Sequence, residues 1–407
     1  MNILLSAYAC RPNAGSEPGT GWNWAIHLAQ AGCEVYLFTA GRNKSSIDAY
    51  LHENPCPQLH PHYVDVPGMS PMSSGGKHYL LWQWISLRQA RSLAKKIAID
   101  VVHHVSYGSV HLPTQLWRLG VPTIFGPVGG GQTTPESLLP YFGTDAKSER
   151  KRTRMTHLLP RLWFYRSWMK RMSLVLATNN DTRALAESVG CRRVELLCDT
   201  GTRQDFRAET PRSFEKATPV RLLWVGRFLP RKGLPLALDA LAKTHHDIQL
   251  TLVGDGLPVQ TVEKMIADRS LTGRVHWEGA RLPWMQVREA YATHDALLFT
   301  SLRDSFGSQN LEAMSVGLPI ITLNLSGARD LISNEGSLKV QVGSSIEETV
   351  RNLSKALDDF ASMSLEQRNQ MSEAAWRNAK DFSWIKRAAV AQEFYKDLLK
   401  NKKVSVS

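Results

Sequence analysis

The sequence predicts an α/β protein of two domains, each a parallel sheet with helices on both faces. Short apolar runs alternate with helix-spaced segments, which is the pattern of strand–helix–strand units. The alternation restarts after residue 215. A chain of 407 residues is also too long for one ordinary core.

In the first half, NILLSAYA, EVYLFTA, VVHHV and PTIFG read as buried strands. Between the first two, WNWAIHLAQAG has helical spacing and stops at Gly32. In the second half the strands are VRLLWVG, QLTLVGDG, RVHWEG, ALLFTS and PIITLN, with the helical LPLALDALAKTHH between the first two. The stretch 196–219 is polar and rich in breakers, so the linker is placed there. The expected domains are 1–200 and 201–383. The tail 384–407 carries the amphipathic SWIKRAAVAQEFYKDLLK, a helix expected to cross back to the first domain.

Composition narrows the class. Apolar residues make up 43% and charged residues 21%, as in soluble globular proteins. No apolar run approaches the roughly 20 residues a membrane span needs. The start, MNILLSAYAC, runs into Arg11 and Pro12 without a basic leader or cleavage site, so it reads as a strand and the expected location is the cytoplasm. The cysteines (Cys10, Cys33, Cys56, Cys191 and Cys198) are odd in number and form no C-x-x-C pair or metal spacing. They read as reduced thiols. The net charge of +12 favours anionic partners: phosphates, acidic membrane surfaces or nucleic acid.

Three features in the second half point to an anionic ligand. The first is Gly226-Arg227-x4-Lys232-Gly233, directly after a strand. Its glycines permit a tight turn, and Arg227 and Lys232 can converge on one anion. The alternative is a turn with two solvated cations. The second is Val253-Gly254-Asp255-Gly256 at a strand end, a backbone turn that suits a nearby ligand but is weak alone. The third is TSLRDSFGSQNLEAMSVGLPIIT. Asp304 and Glu312 are eight apart, which on one helix would leave them about 80° out of register. They converge only if Asp304 sits on a loop with Ser305, Phe306 and Gly307, and Glu312 on the helix that follows. The free N–H groups at 306–308, Ser308 included, would then favour a phosphate. The alternative is a capped helix with two surface carboxylates.

With these features in this order, the second half resembles glycosyltransferase family 4, of the GT-B fold, in which two Rossmann-like domains face a central cleft. The family pattern is G-R-x4-K-G, a strand-end G-x-G, E-F-G or E-G-F-G with E-x7-E, and G-x-P. Here it is matched by Arg227, Lys232, Gly254, Gly256, Phe306, Gly307, Glu312, Gly317 and Pro319. The match is good over about 219–384 and looser before. The resemblance implies that Arg227 and Lys232, with Gly226, hold the donor diphosphate and that Glu312 binds the ribose hydroxyls. The carboxylate at 304 would face the donor sugar, beside the amides of Phe306 and Gly307. Where the family usually has Glu, this chain has Asp304, one methylene shorter.

In the first half, the glycine-rich RPNAGSEPGTGWNWAIHLA leads into a helix. In the family this loop lies against donor diphosphate and acceptor, which makes Gly15, Ser16, Glu17 and Gly19 candidates. The alternative is an ordinary capped loop. Trp22 and Trp24, two apart, cannot share a helix face. His103 falls at a strand end where the family often has a functional His, although such a His is commonly structural. Many relatives carry T-F-H-G at the next strand end. This chain has Gly126-Pro127 and then Gly129-Gly130-Gly131, so that His role does not transfer. The glycines would instead bring backbone N–H groups near the cleft, next to Gln132 and Thr133. Residues 147–172 hold nine Lys/Arg against one Glu, interleaved with Trp163, Phe164 and Trp168. This mixture suits an anionic membrane surface, and the alternative is a solvated helix.

The expected function is retaining transfer of a hexosyl unit from a nucleoside diphosphate sugar, UDP-glucose favoured. The expected acceptor is a polysaccharide or lipid-linked saccharide. No metal cofactor is expected, because protein cations can stabilise the leaving diphosphate and no strand-flanked D-x-D occurs. An epimerase or phosphorylase on the same fold is the nearest alternative. A nicotinamide enzyme is disfavoured: Gly19-Thr20-Gly21 lacks a third glycine, and EVYLFTA ends without the acid that would hold a ribose. A nucleic-acid-binding role is suggested only by the charge, with no recognised module.

Overall fold

The computed structural model describes residues 1–70, 72, 75–202, 207–215, 218–277 and 284–404, apart from the side chains of 284, 285 and 402–404. The chain divides into two compact units. One comprises Met1–Gly131, Thr156–Gly201 and Trp384–Ser407; the other comprises Gln132–Met155 and Thr202–Ser383.

The first unit is a seven-stranded parallel sheet in the order β3-β2-β1-β4-β5-β6-β7. Its strands are β1 (Asn2–Ala7), β2 (Glu34–Ala40), β3 (Leu59–Val64), β4 (Val101–Ser106), β5 (Thr123–Val128), β6 (Leu174–Ala177) and β7 (Val194–Leu196). Its helices are α1 (Ser16–Gln30), α2 (Lys44–Glu53), α3 (Gly76–Ala94), α5 (Trp163–Met169), α6 (Asn180–Ser188) and α14 (Trp384–Val404). Strands β1, β4 and β5 are buried on both faces because helices cover both sides, so they read as runs without polar alternation. α14 does pack here: Trp384 meets Trp24 edge-on, and the Gln392 side chain donates to Ala31 O at 2.8 Å.

The second unit is a six-stranded parallel sheet in the order β10-β9-β8-β11-β12-β13. Its strands are β8 (Val220–Val225), β9 (Ile248–Val253), β10 (Val275–Trp277), β11 (Ala296–Phe299), β12 (Ile320–Leu323) and β13 (Ser337–Val340). Its helices are α7 (Leu234–Leu241), α8 (Val259–Ala267), α9 (Trp284–Thr293), α10 (Ser308–Ser315), α11 (Ser326–Leu331), α12 (Ile346–Ser362) and α13 (Leu365–Ala379). Helix α4 (Ala146–Leu158) belongs to this unit as far as Met155. The core is built from β8, β9 and α7 side chains, among them Leu222, Trp224, Leu236 and Leu250, all buried.

Both sheets reverse their strand order once, between β1 and β4 and between β8 and β11. In open parallel sheets the crevice beyond the strand ends at such a switch point is where ligands bind. The loops that follow β8 and β11 are those carrying Gly226–Gly233 and Asp304–Gly307.

The expected boundary needs one correction. Residues 132–155 were assigned to the first domain by position along the chain, yet they group with the second unit. They are held there by the buried Glu149, which pairs with Arg303, and by Tyr141, which donates to Asp239 at 2.7 Å.

Candidate functional site

The second unit assembles the three sequence features around one lysine. β8 ends at Val225, and the Gly226 N–H continues the sheet by donating to Val253 O at 3.0 Å. The Gly254 turn lies so close that a Cβ there would sit 1.8 Å from Gly226 O, which is why this position must be glycine. Past the Gly226 turn, residues 230–232 form one tight helical turn, stitched to the loop after β11. The Leu302 N–H donates to Arg231 O at 2.9 Å, and the Thr300 hydroxyl donates to Gly233 O at 2.9 Å. The Trp224 indole in turn donates to Thr300 Oγ1 at 3.0 Å.

This stitching aims Lys232 at Asp304. The Nζ lies 2.5 Å from Oδ2, and Arg231 Nη1 lies 3.5 Å from the same oxygen. Burial alone would push the Asp304 carboxyl up, but Lys232, Arg231 and the Ser305 N–H together hold it below the usual carboxylate range. Asp304 is therefore an anion at neutral pH. Ser305 accepts a hydrogen bond from the Gln132 side chain at 3.2 Å. Phe306 is fully buried and stacks on Phe382, with ring centres 5.6 Å apart, so it anchors the loop from beneath.

Gly307 then caps α10 and, being glycine, offers no side-chain oxygen to the first-turn N–H groups. Backbone donors at such a helix start carry partial positive charge. Glu312 lies on the same helix and accepts a hydrogen bond from the buried Tyr291 hydroxyl at 2.7 Å. Burial raises the Glu312 carboxyl above its ordinary range, opposed by Tyr291, Ser308 and Lys232. Lys232 thus lowers both carboxylates electrostatically, Asp304 on the loop after β11 and Glu312 on α10. Arg227 is exposed, and its side chain makes no hydrogen bond or ion pair among the described residues. Here Arg231, and not Arg227, joins Lys232 at the acid.

In the first unit, Gly15 precedes α1 without a side-chain cap bond. A Cβ on Gly19 would fall 1.9 Å from Ala14 O, so that glycine lets the loop fold back on the helix. Ser16 opens the helix and Glu17 lies in its first turn. Glu17 Oε1 accepts the Gly108 N–H at 2.8 Å, tying the loop after β1 to the loop after β4 at the switch point. Burial pushes the Glu17 carboxyl up to about 7, against the pull of Gly108 and with a small push from Asp199.

Two expectations in this unit are corrected. His103 is fully buried: its Nδ1 pairs with the Tyr395 hydroxyl at 2.6 Å and its Nε2 with Gly126 O at 2.7 Å. With both nitrogens engaged inside the core, it joins α14 to the sheet and has no face for substrate. Burial pushes it down to about 4, so it is neutral at pH 7. The glycine run is likewise tied up. The Gly129 N–H donates to Gly108 O at 2.9 Å, and the Gly131 N–H donates to the Thr182 hydroxyl at 3.1 Å. Gly130 packs against His111. These glycines serve close packing more than an open row of donors.

Two family models match the chain. "Glycosyltransferase Family 4" covers residues 22–198, and "Glycosyl transferases group 1" covers 205–377. The chain belongs to glycosyltransferase family 4. Among curated relatives of this chain is the phosphatidylinositol N-acetylglucosaminyltransferase GPI3 subunit of Saccharomyces cerevisiae, 27% identical over 49% of this chain. The chain spans about half of that relative's length, 48%. The 2-deoxystreptamine glucosyltransferase of Streptomyces kanamyceticus is 23% identical over 82% of this chain and 87% of its own. Among solved structures, sucrose-phosphate synthase from Thermosynechococcus elongatus superposes with a TM-score of 0.69. It is 16% identical, with 98% of this chain and 99% of that one covered, and it shares the GT-B fold.

Sequence reasoning does not single out Arg231, Tyr291, Glu149 or Arg303, which adjoin the site. Arg231 lies inside the Gly226–Gly233 motif, so adjacency to Lys232 was the available signal. Tyr291 and Glu149 gave none, because only the tertiary packing brings them to the loop.

Proposed function

We propose that this glycosyltransferase moves a hexosyl unit from a nucleoside diphosphate sugar, UDP-glucose first among donors, to a polysaccharide or lipid-linked saccharide with retention at the anomeric carbon. The observation that carries the reading is Lys232 paired with Asp304 at the β8/β11 switch point, before the start of α10, the helix that bears the partly buried Glu312. In the reaction the bond from the anomeric carbon to the diphosphate oxygen breaks, and its electron pair leaves with the diphosphate. A bond from the acceptor hydroxyl oxygen forms on the same face of that carbon, and the hydroxyl proton passes to an oxygen of the departing diphosphate. Charge grows on the diphosphate, where Lys232 and the α10 N–H groups would oppose it without prior rearrangement. Glu312 would accept the ribose hydroxyls. In this reading no metal ion is required.

The relatives' names support hexose transfer and, in one case, a lipid acceptor, phosphatidylinositol. The first unit adds a surface suited to such an acceptor. Trp163 and Phe164 on α5 are 79% and 51% exposed, with Arg161, Arg166, Lys170 and Arg171 exposed around them. Aromatic and basic side chains together fit the headgroup layer of an anionic membrane, such as the inner leaflet reached from the cytoplasm. Among the described residues no helix is long and apolar enough to cross a membrane.

A donor-hydrolysis screen over UDP-, GDP- and ADP-sugars tests the reading, with Lys232→Ala and Glu312→Ala as controls. Hydrolysis of one nucleotide sugar that both variants abolish supports it. Turnover indifferent to both substitutions overturns it. Sedimentation with anionic and neutral vesicles tests the membrane surface: binding should require anionic lipid, and equal binding to both would remove it.

A further inference from the structure

Helices α3 and α5 cover the same face of the first sheet. α3 shares a core with Leu4 and Val102, α5 shares one with Phe125 and Val175, and the strand register puts these four residues on one side. The turn Leu116–Leu119 joins the two helices. Its Arg118 lies over the Trp84 ring of α3 at 5.5 Å and over Trp117 at 4.8 Å. Arg171, just past α5, lies over Trp117 at 5.4 Å. The Trp168 indole of α5 donates to Thr114 O at 2.8 Å, which ties α5 to the same segment.

The contact of α3 with the sheet is made by Tyr79, Trp82, Leu87 and Ala90, all buried. Its outer side is apolar as well. Leu80, Leu81 and Trp84 are 45%, 48% and 48% exposed. Spacings of three and four residues place them on one face with Lys77 before them and Arg88 and Arg91 after, all exposed. Met69 and Met72, on the way into the helix, are exposed too. Single exposed apolar residues need no explanation, but a cluster rimmed by charge marks an interaction surface. The rim here is cationic, so the partner it complements is anionic outside and apolar a few ångströms deeper. An acidic bilayer has that profile: leucine and tryptophan enter the headgroup layer while lysine and arginine stay with the phosphates.

We propose that the outer face of α3 is a second membrane-contacting element, inserting Leu80, Leu81 and Trp84 into an anionic bilayer while Lys77, Arg88 and Arg91 meet lipid phosphates. The proposal rests on the membrane reading of α5 and adds to it. One helix alone would leave the first unit free to swivel on the surface. Two contacts on the same side of one sheet fix its orientation, and Arg118, between Trp84 and Trp117, holds them at a set spacing.

Sedimentation of the full chain with vesicles of phosphatidylcholine, alone or mixed with phosphatidylglycerol, tests this. The double variant Leu80→Ser, Leu81→Ser should lower partitioning into mixed vesicles about 10-fold, from the loss of apolar area buried at the interface. Arg88→Gln with Arg91→Gln should lower it too and weaken its dependence on salt. Far-UV circular dichroism and the melting temperature confirm that each variant is folded. Undiminished partitioning of folded Leu80→Ser, Leu81→Ser overturns the proposal, and a loss confined to Trp163→Ser then leaves α5 as the membrane contact. Failure of the wild type to bind mixed vesicles overturns both. Light scattering without lipid should give a monomer. A dimer that Leu80→Ser, Leu81→Ser dissociates would assign the face to a second copy of the chain and overturn the proposal.

Discussion

Lys232 Nζ lies 2.5 Å from Asp304 Oδ2, and the lysine is buried. Removing one partner of such a pair strands the other's charge, which typically costs about 3–5 kcal/mol. Lys232→Ala should therefore lower both stability and kcat/KM, the latter by at least ~100-fold if the lysine faces the leaving diphosphate. Asp304→Asn keeps an acceptor but removes a negative charge. Nucleoside diphosphate affinity should hold or rise while kcat falls, a split that steady-state kinetics with parallel titrations reads directly. Asp304→Glu, which restores the residue usual in the family, should stay within a few-fold of wild type.

Tyr291→Phe removes the hydroxyl that donates to Glu312 at 2.7 Å. The acid then loses the strongest of the contacts opposing its burial. Its proton affinity should rise further and nucleotide affinity should fall about 5- to 10-fold at pH 7, the cost of a lost hydrogen bond to a charged group. Raising the pH should recover part of the loss by re-ionising Glu312. A titration series from pH 6 to 8.5 shows this as a shifted affinity profile.

Glu17 supplies a stability prediction with a definite sign. Its folded carboxyl titrates near 7, against an ordinary value of 4.5. Across that window the folded state holds a proton that the unfolded state has lost, so stability falls as pH rises from about 4.5 to 7. At 1.36 kcal/mol per pKa unit the contribution is roughly 3 kcal/mol at most. Glu17→Gln keeps an acceptor for the Gly108 N–H and should flatten this part of the profile. Urea denaturation at pH 5 and pH 7.5 compares the two.

For His103, substitution separates a structural role from a chemical one. His103→Ala breaks two buried bonds, to Tyr395 and to Gly126 O, and should cost about 2–4 kcal/mol. At a temperature where the variant remains folded, kcat should stay within a few-fold of wild type. A drop of ~100-fold, as for a lost proton-transfer group, would contradict its assignment to the core.

Protein cations opposing the leaving diphosphate imply that transfer survives chelation. Dialysis against EDTA should leave turnover unchanged, with added magnesium giving less than a two-fold gain. Abolition by EDTA and rescue by a divalent ion would contradict this part of the reading.

The sequence revealed those parts of the fold governed by local chemistry. β1, β2, β4 and β5 and β8 to β12 were legible because each is a short, largely apolar run closed by glycine or a polar turn. β3 was not, since LHPHYV is interrupted by histidines and a proline at the sheet edge, and β7 is only three residues long. The E-x7-E-like spacing located Asp304 and Glu312 on loop and helix because 3.6-residue periodicity forbids any other convergence. Arg231 escaped notice although it adjoins Lys232, for a motif does not say which of two cations turns toward the acid. Glu149, which holds Arg303 next to Asp304, was invisible as a neighbour of the site. A run of nine basic residues reads as surface, and only tertiary packing turns the one acid of that segment toward Arg303.

The account stands or falls on how the second unit divides a nucleotide between Lys232 and Glu312. Calorimetric titration with uridine, UMP and UDP on wild type, Lys232→Ala and Glu312→Ala separates the two contacts. Glu312→Ala should weaken all three ligands by a similar factor, because each carries the ribose. Lys232→Ala should weaken UDP most and uridine least. Equal losses across the three ligands in Lys232→Ala, or wild-type uridine affinity in Glu312→Ala, would contradict the assignment.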